Sequence, residues 1–262
     1  MTLPDMEQLQ QLVIRVAREE ILPRFNRVSG HDKADGSVLT EADVVAQARL
    51  QEALAQLTPG IPLLGEEMGE EEQQGLLLGA DYLWCLDPLD GTSNFASGLP
   101  FFCTSLALLH RGEPILAVVY DPVRDECFSA QQGQGARLNG EVLHSQSTVS
   151  EMAKAIAEVD LKRLPAELAK RVAAEHPFRS QRNFGSGALD WAWLAAGRYQ
   201  LYLHGGQKLW DYMGGVLILA EAGGKATTLE GDAVACAQLV PRSVVAAADE
   251  SLYAHWYAWL NS

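Results

Sequence analysis

Between Asp5 and Ile21 the apolar residues Leu9, Leu12, Val13, Val16 and Ala17 recur at i, i+3, i+4, i+7 and i+8, the repeat of one helix face. This pattern predicts a first helix. Residues 29–39 are polar and contain glycine, which predicts a loop or hairpin. Thr40-Glu41-Ala42-Asp43 has the spacing of an N-terminal capping box, and Ala46, Leu50, Ala53, Leu54 and Leu57 then form the face of a second helix. Two short apolar runs follow at 61–64 and 82–86, ending in Gly65-Glu66-Glu67 and Asp87-Pro88. They read as strands that deliver carboxylates at their ends. Glu66 and Glu67, with Glu70, Glu71 and Glu72, form an acidic run that by itself reads as a solvated loop. Residues 102–110, 114–120 and 126–130 read as strands joined by turn chemistry at Arg111-Gly112-Glu113 and Asp121-Pro122, an antiparallel meander.

Over residues 131–150 the chain is rich in Gly, Gln and Ser and separates two halves. The expected division is an N-terminal α+β half, residues 1–145, and a C-terminal α/β half, residues 146–262. In the second half helices are expected near 165–175, 187–196, 211–222 and 249–260, with strands near 154–159, 199–203, 224–228 and 243–247. Trp191, Trp193 and Leu194, on an alanine-rich helix, read as core or subunit contacts.

Charge narrows the partners. The 262 residues carry a formal net charge of −14, so the mean field repels nucleic-acid backbones and anionic membrane surfaces. A small anionic substrate would need local positive charge, from bound cations or helix N-termini. No apolar run approaches the ~20 residues that span a bilayer, and the first 30 residues lack the layout of a secretory signal, so a cytoplasmic location is expected. Cys85, Cys103, Cys127 and Cys236 form no C-x-x-C pair and read as reduced thiols. The six histidines show no ligand-pair spacing, which argues against zinc.

The segment with most chemistry is residues 84–95, WCLDPLDGTSNF. Pro88 has no N–H to donate, which bends the chain and lets Asp87 and Asp90 face one cavity. Gly91 and Thr92 would then open a helix whose free N–H groups meet an anion. Paired carboxylates of this kind suit a hard divalent cation such as magnesium, and two such ions can activate a water and stabilise a leaving oxygen. The competing reading has both aspartates capping the helix and pairing with nearby bases. Spacing excludes the D-x-D of haloacid dehalogenase-type phosphatases and the loop of an EF-hand. No G-x-S-x-G nucleophile elbow is present.

Together, Gly65-Glu66-Glu67, the D-P-L-D-G-T-S-N-F core, and Trp210-Asp211 leading through Met213 to E-A-G-G resemble the inositol monophosphatase family of magnesium-dependent, lithium-sensitive phosphatases. Weaker resemblance extends from about Lys33 to the C-terminal helix. It implies an α/β fold, a layered αβαβα sandwich shared with fructose-1,6-bisphosphatase, usually in a homodimer. Glu66, Asp87 and the Leu89 carbonyl would bind one metal, and Asp87, Asp90 and Asp211 a second. Asp43, through water, and Glu66 would attend a third, so two or three Mg²⁺ ions per site are implied, with Mn²⁺ able to substitute. Thr92 and Glu66 would activate water, and the N–H groups of Gly91 and Thr92 would receive the phosphate. For Asp43 and Asp211, helix capping stands beside metal contact, although Gly214-Gly215 suits a tight metal-binding turn. Ser186, Gly187, His204 and Lys208 take the leaving-group positions, and Lys33 is a further candidate cation. The implied reaction is phosphomonoester hydrolysis by metal-activated water on a small phosphorylated metabolite. His204 stands where inositol-cleaving relatives commonly carry Glu, which sets inositol 1-phosphate beside fructose 1,6-bisphosphate, histidinol phosphate and 3′-phosphoadenosine phosphates as substrates. A non-catalytic scaffold or regulatory protein is the alternative of another class.

Overall fold

The computed structural model describes residues 3–27, 30–32 and 38–262. Helix α1 (Met6–Val16) is capped by Asp5, whose carboxylate accepts the Gln8 N–H, and one π turn and one 3₁₀ turn extend it to Arg24. Strands β1 (His31–Asp32) and β2 (Val38–Leu39) pair antiparallel, as the hairpin expectation required. Lys33 lies outside the described residues. Helix α2 (Glu41–Leu57) starts at the expected capping box.

Strand β3 (Leu63–Gly65) leads into a turn at Glu66 and Glu67, as expected of a loop, and then into α3 (Glu70–Gly79), so Glu70, Glu71 and Glu72 of the acidic run are helical instead. The physical reason is placement: Glu70, Glu71 and Glu72 fill the first turn, where negative charge favours a helix. Strand β4 (Tyr82–Asp90) does not stop at Asp87 but carries both aspartates, with a break in its register against β5 (Cys103–His110) between Asp87 and Asp90. A bulge there re-aims side chains without ending the strand. After α4 (Thr92–Ala96), β5, β6 (Glu113–Asp121) and β7 (Glu126–Gln131) form the expected meander. Strands β8 (Ala136–Leu138) and β9 (Glu141–Leu143) then lie in the glycine-rich stretch read as a separator, and they complete a seven-stranded sheet of order β3-β4-β5-β6-β7-β8-β9.

The second sheet has the order β11-β10-β12-β14-β13, from β10 (Ile156–Asp160), β11 (Ser180–Arg182), β12 (Leu201–Gln207), β13 (Lys225–Thr227) and β14 (Arg242–Ala247). The short β11 had no counterpart among the expected elements. Helices α5 (Ala166–Glu175), α6 (Gly187–Ala195), α7 (Leu209–Ala222) and α8 (Glu250–Leu260) match the expected four.

Period-2 alternation decides how the layers stack. In the first sheet Trp84, Leu86, Leu106 and Leu108 pack with α1 and α2, while Leu83, Cys85, Ala107 and Leu109 pack with α6 and α7. In the second, Tyr202, Val244 and Ala246 join that same central helical layer, and Leu201, Leu203, Val245 and Ala247 pack with α5 and α8. The result is a five-layer αβαβα sandwich, the expected class. Gly214 and Gly215 lie within α7 and form no metal-binding turn. A Cβ on Gly215 would fall 2.2 Å from the Trp191 Cβ, and one on Gly214 3.1 Å from Ser105 Oγ, so both permit close packing of α7. Trp191 is fully buried and donates to Gln207 Oε1 at 2.8 Å. The half-buried Trp193 lies between the guanidinium groups of Arg124 and Arg198.

Candidate metal centre

The β4 bulge, the β3 end and the start of α7 meet at a cavity of about 1360 Å³. Its lining includes Glu66, Asp87, Leu89, Asp90, Gly91, Thr92, Lys208 and Asp211. One carboxylate oxygen from each of Asp87, Asp90 and Asp211 lies within 4.8 Å of the other two. A smaller hollow of about 440 Å³, between Pro59 and Tyr82, holds none of these groups.

Each ligand candidate is fixed by its own element. Glu66 follows β3 directly, its N–H donating to the Leu86 carbonyl at 3.1 Å and its carbonyl lying 3.4 Å from Gln73 Nε2. Asp87 Oδ1 accepts the Leu89 N–H at 3.0 Å. Asp90 Oδ2 accepts from Ser186 Oγ and from the Ala188 N–H, both at 2.7 Å, and lies 3.8 Å from Cys103 Sγ. Asp211 Oδ2 accepts the Lys208 N–H at 2.9 Å, so Asp211 caps α7 from its third position and not as the N-cap residue, while also lining the cavity.

Burial, followed by the charges of Glu66, Asp90 and Asp211, pushes the Asp87 carboxyl well above the usual range. Burial, then Asp90 and Glu66, does the same to Asp211, against the Lys208 N–H and the charge of Arg163. Asp90 is raised by burial in spite of the hydrogen bonds from Ser186 and from the N–H groups of α6. Like charges held this close out of water are stabilised by cations, and hard carboxylate oxygens are the donors a divalent metal takes. The residues present therefore fit such an ion.

Gly91 caps α4 at φ 89°, and a Cβ there would come within 3.0 Å of the Phe101 carbonyl oxygen and of Ser186 Cβ. Both reasons demand glycine. The Thr92 hydroxyl lies 2.9 Å from the Leu89 carbonyl and 3.1 Å from Asp43 Oδ1. Asp43 is fully buried, and its Oδ2 accepts from the Thr40 N–H at 2.7 Å and Thr40 Oγ1 at 2.6 Å. Its capping and its contact with Thr92 thus occupy both oxygens.

The leaving-group candidates divide. Lys208 lines the cavity. Ser186 is buried against Asp90, and Gly187 packs where a Cβ would meet Gln207 Nε2 at 2.6 Å and Asp211 Cβ at 3.3 Å. Both support metal-ligand candidates from behind. His204 is turned aside: it pairs with Asp160 across the β10–β12 register, its Nε2 is 3.4 Å from Asp160 Oδ2, and its Nδ1 accepts the Gly206 N–H at 3.1 Å. The cavity is instead lined by Lys162 and Arg163, two residues that motif reasoning passed over. Their signal was two adjacent basic residues directly after a strand, in an acidic chain.

Comparison with known proteins points to one family. The sequence profile described as the inositol monophosphatase family matches residues 4–261. A Pseudomonas aeruginosa protein named Nus factor SuhB is 34% identical over 239 residues, 86% of this chain and 87% of that one. Inositol-1-monophosphatase of Caulobacter vibrioides is 34% identical over 213 residues, 76% of this chain and 78% of its own. The solved Thermotoga maritima IMPase superposes with a TM-score of 0.84 at 27% identity, covering 97% of this chain and 96% of that one. With a five-layer fold, a carboxylate trio at its β4 bulge and a profile match from end to end, the chain belongs to the inositol monophosphatase family.

Proposed function

We propose that the protein is a magnesium-dependent phosphomonoesterase acting on a small phosphorylated metabolite. The observation that carries this reading is the convergence of Asp87, Asp90 and Asp211 on one cavity beside Thr92. Glu66, Asp87 and the Leu89 carbonyl would hold one ion and Asp87, Asp90 and Asp211 another, with manganese acceptable to the same oxygens. When bound, such ions neutralise phosphoryl charge and lower the pKa of water.

The chain's own groups do the positioning. Asp43 and the Leu89 carbonyl fix the Thr92 hydroxyl, which would orient the attacking water, while the Glu66 carboxylate would accept its proton. Gly91 lets the backbone turn so that the first N–H groups of α4 face the phosphate. Lys208 adds positive charge at the rim, and Ser186 with the Ala188 N–H keeps Asp90 aimed inward. Positioning and electrostatics of this kind supply most of the rate in phosphoryl transfer. A homodimer and lithium sensitivity belong to the same proposal.

The test is phosphate release from inositol 1-phosphate, fructose 1,6-bisphosphate, histidinol phosphate and 3′-phosphoadenosine 5′-phosphate, with magnesium and with EDTA. Magnesium-dependent, lithium-inhibited release from at least one is expected. Release from none contradicts the proposal. The name Nus factor on the Pseudomonas relative favours a second reading, a non-catalytic regulatory protein on this fold; the complete set Glu66, Asp87, Asp90, Thr92 and Asp211 weighs against it, and release from none of the substrates would support it.

A further inference from the structure

The cavity is lined by charges of both signs: Glu66, Glu67, Glu70, Asp87, Asp90 and Asp211 together with Lys162, Arg163 and Lys208. In a chain of net charge −14, cations gathered at an acidic site need a physical reason. The turn that bears two of them, Leu161–Arg163, is built with care. Asp160 Oδ1 accepts the Lys162 N–H at 2.9 Å, while Oδ2 lies 3.6 Å from Arg163 Nε and 3.4 Å from His204 Nε2. Because His204 Nδ1 accepts from the Gly206 N–H, the ring proton sits on Nε2 and points at Asp160. A Cβ on Gly205 would fall 1.7 Å from the Arg163 carbonyl oxygen, so the turn is seated where only glycine fits. Burial pushes the Asp160 carboxyl up, but His204, the Lys162 N–H and Arg163 outweigh it and hold it below the usual range. Lys162 and Lys208 make no ion pair among the described residues.

We infer that Leu161–Arg163 forms a second anion subsite, so that the substrate is a phosphomonoester whose leaving group carries a further phosphate. This rests on the phosphomonoesterase reading above. With the scissile phosphate at the carboxylate trio, a leaving group in the same cavity comes within reach of Lys162 and Arg163. A neutral polyol offers those cations only hydroxyls, whereas a second phosphate accepts paired, charge-assisted hydrogen bonds from Arg163 and a point charge from Lys162. Space agrees: about 1360 Å³ exceeds the roughly 300–1,000 Å³ of an ordinary small-molecule site. His204 is then a positioning residue, acting through Asp160.

The experiment compares wild type with the double variant Lys162→Gln/Arg163→Gln, both in magnesium. The substrates are fructose 1,6-bisphosphate, 3′-phosphoadenosine 5′-phosphate and the singly phosphorylated inositol 1-phosphate. The wild type should favour at least one bisphosphorylated substrate, and which one separates a sugar from a nucleotide leaving group. The variant should lose about tenfold in kcat/KM on it, mainly through KM, a loss at least about fivefold larger than on inositol 1-phosphate, because the lost Arg163 charge near Asp211 acts on all substrates alike. Equal losses on all substrates, no loss on any, or a wild type that prefers inositol 1-phosphate would overturn the inference and leave the phosphatase reading standing. If nothing is hydrolysed, the phosphatase reading falls, and calorimetric titration of the same proteins with the same compounds still decides the subsite. Affinities for the bisphosphates that the double variant leaves unchanged would contradict it. His204→Ala should reproduce the KM effect in weaker form with kcat on inositol 1-phosphate intact.

Discussion

The trio Asp87, Asp90 and Asp211 and the pair Glu158 and Asp190 are both groups of buried carboxylates pushed upward by desolvation, yet only the first opens onto a cavity. Glu158, on β10, is raised to about 8 by burial and by Asp160, against one hydrogen bond from the Phe184 N–H. Asp190, on α6, is raised well above the usual range by burial, then by Glu158 and Asp90. Glu158 Oε2 and Asp190 Oδ1 are buried without a hydrogen-bond partner among the described residues. A sealed pair relieves its repulsion by keeping a proton; an open trio can take a cation. Raised carboxyl pKa values alone therefore do not mark a metal site, whereas converging oxygens with access to solvent do.

The contrast can be broken most forcefully by paired substitutions. Asp211→Asn should lower magnesium-dependent phosphate release by about a hundredfold or more, since it removes a ligand from an ion that contributes several kcal/mol of charge stabilisation. Asp190→Asn should leave the rate within about threefold, because its carboxyl lies outside the cavity. Comparable losses in the two would erase the distinction.

Magnesium should next separate the groups by stability. Saturating wild type at a hundred times the dissociation constant should add about 2.7 kcal/mol to unfolding. Glu158→Gln should keep that increment, and Asp87→Asn should lose most of it. Thermal melts with magnesium and with EDTA measure the difference.

The effect with the smallest change per step of the variable is a pH slope that belongs to the sealed pair. Glu158 moves from an ordinary 4.5 to about 8 in the fold, so the native state keeps a proton that the unfolded chain releases. Its stabilising contribution is complete below the unfolded value and is lost as pH rises through the folded one, by at most about 1.4 kcal/mol per pH unit. Melts in saturating magnesium between these limits should show stability falling with pH in wild type and a flatter course in Glu158→Gln. An unchanged slope would place the proton elsewhere.

The sequence made the carboxylate trio largely legible because its signals are local. D-P-L-D-G carries two carboxylates of the trio in one segment, and Thr40 to Asp43 is a cap within four residues. Apolar runs over β4 to β7 and amphipathic faces in α1 and α2 likewise gave those elements, while the layering came from the family resemblance. What stayed hidden depends on pairing between distant segments. Asp160 meets His204 only through the parallel register of β10 and β12, so His204 looked like a substrate contact when read along the chain. The turn at Lys162 and Arg163 reaches the cavity through Gly205 on another strand. Strands β8 and β9, three residues each, are too short for alternation to be seen against their glycines.

The central claim is that the carboxylate trio holds the metal on which hydrolysis depends, and Asp90→Asn tests it most directly. Asparagine keeps the shape and can still accept from Ser186, so the fold should survive, as circular dichroism would verify. On the substrate that wild type hydrolyses best, the account predicts that phosphate release is abolished and that calorimetric magnesium titration loses at least one binding event. Near wild-type release, with magnesium binding unchanged, would contradict it.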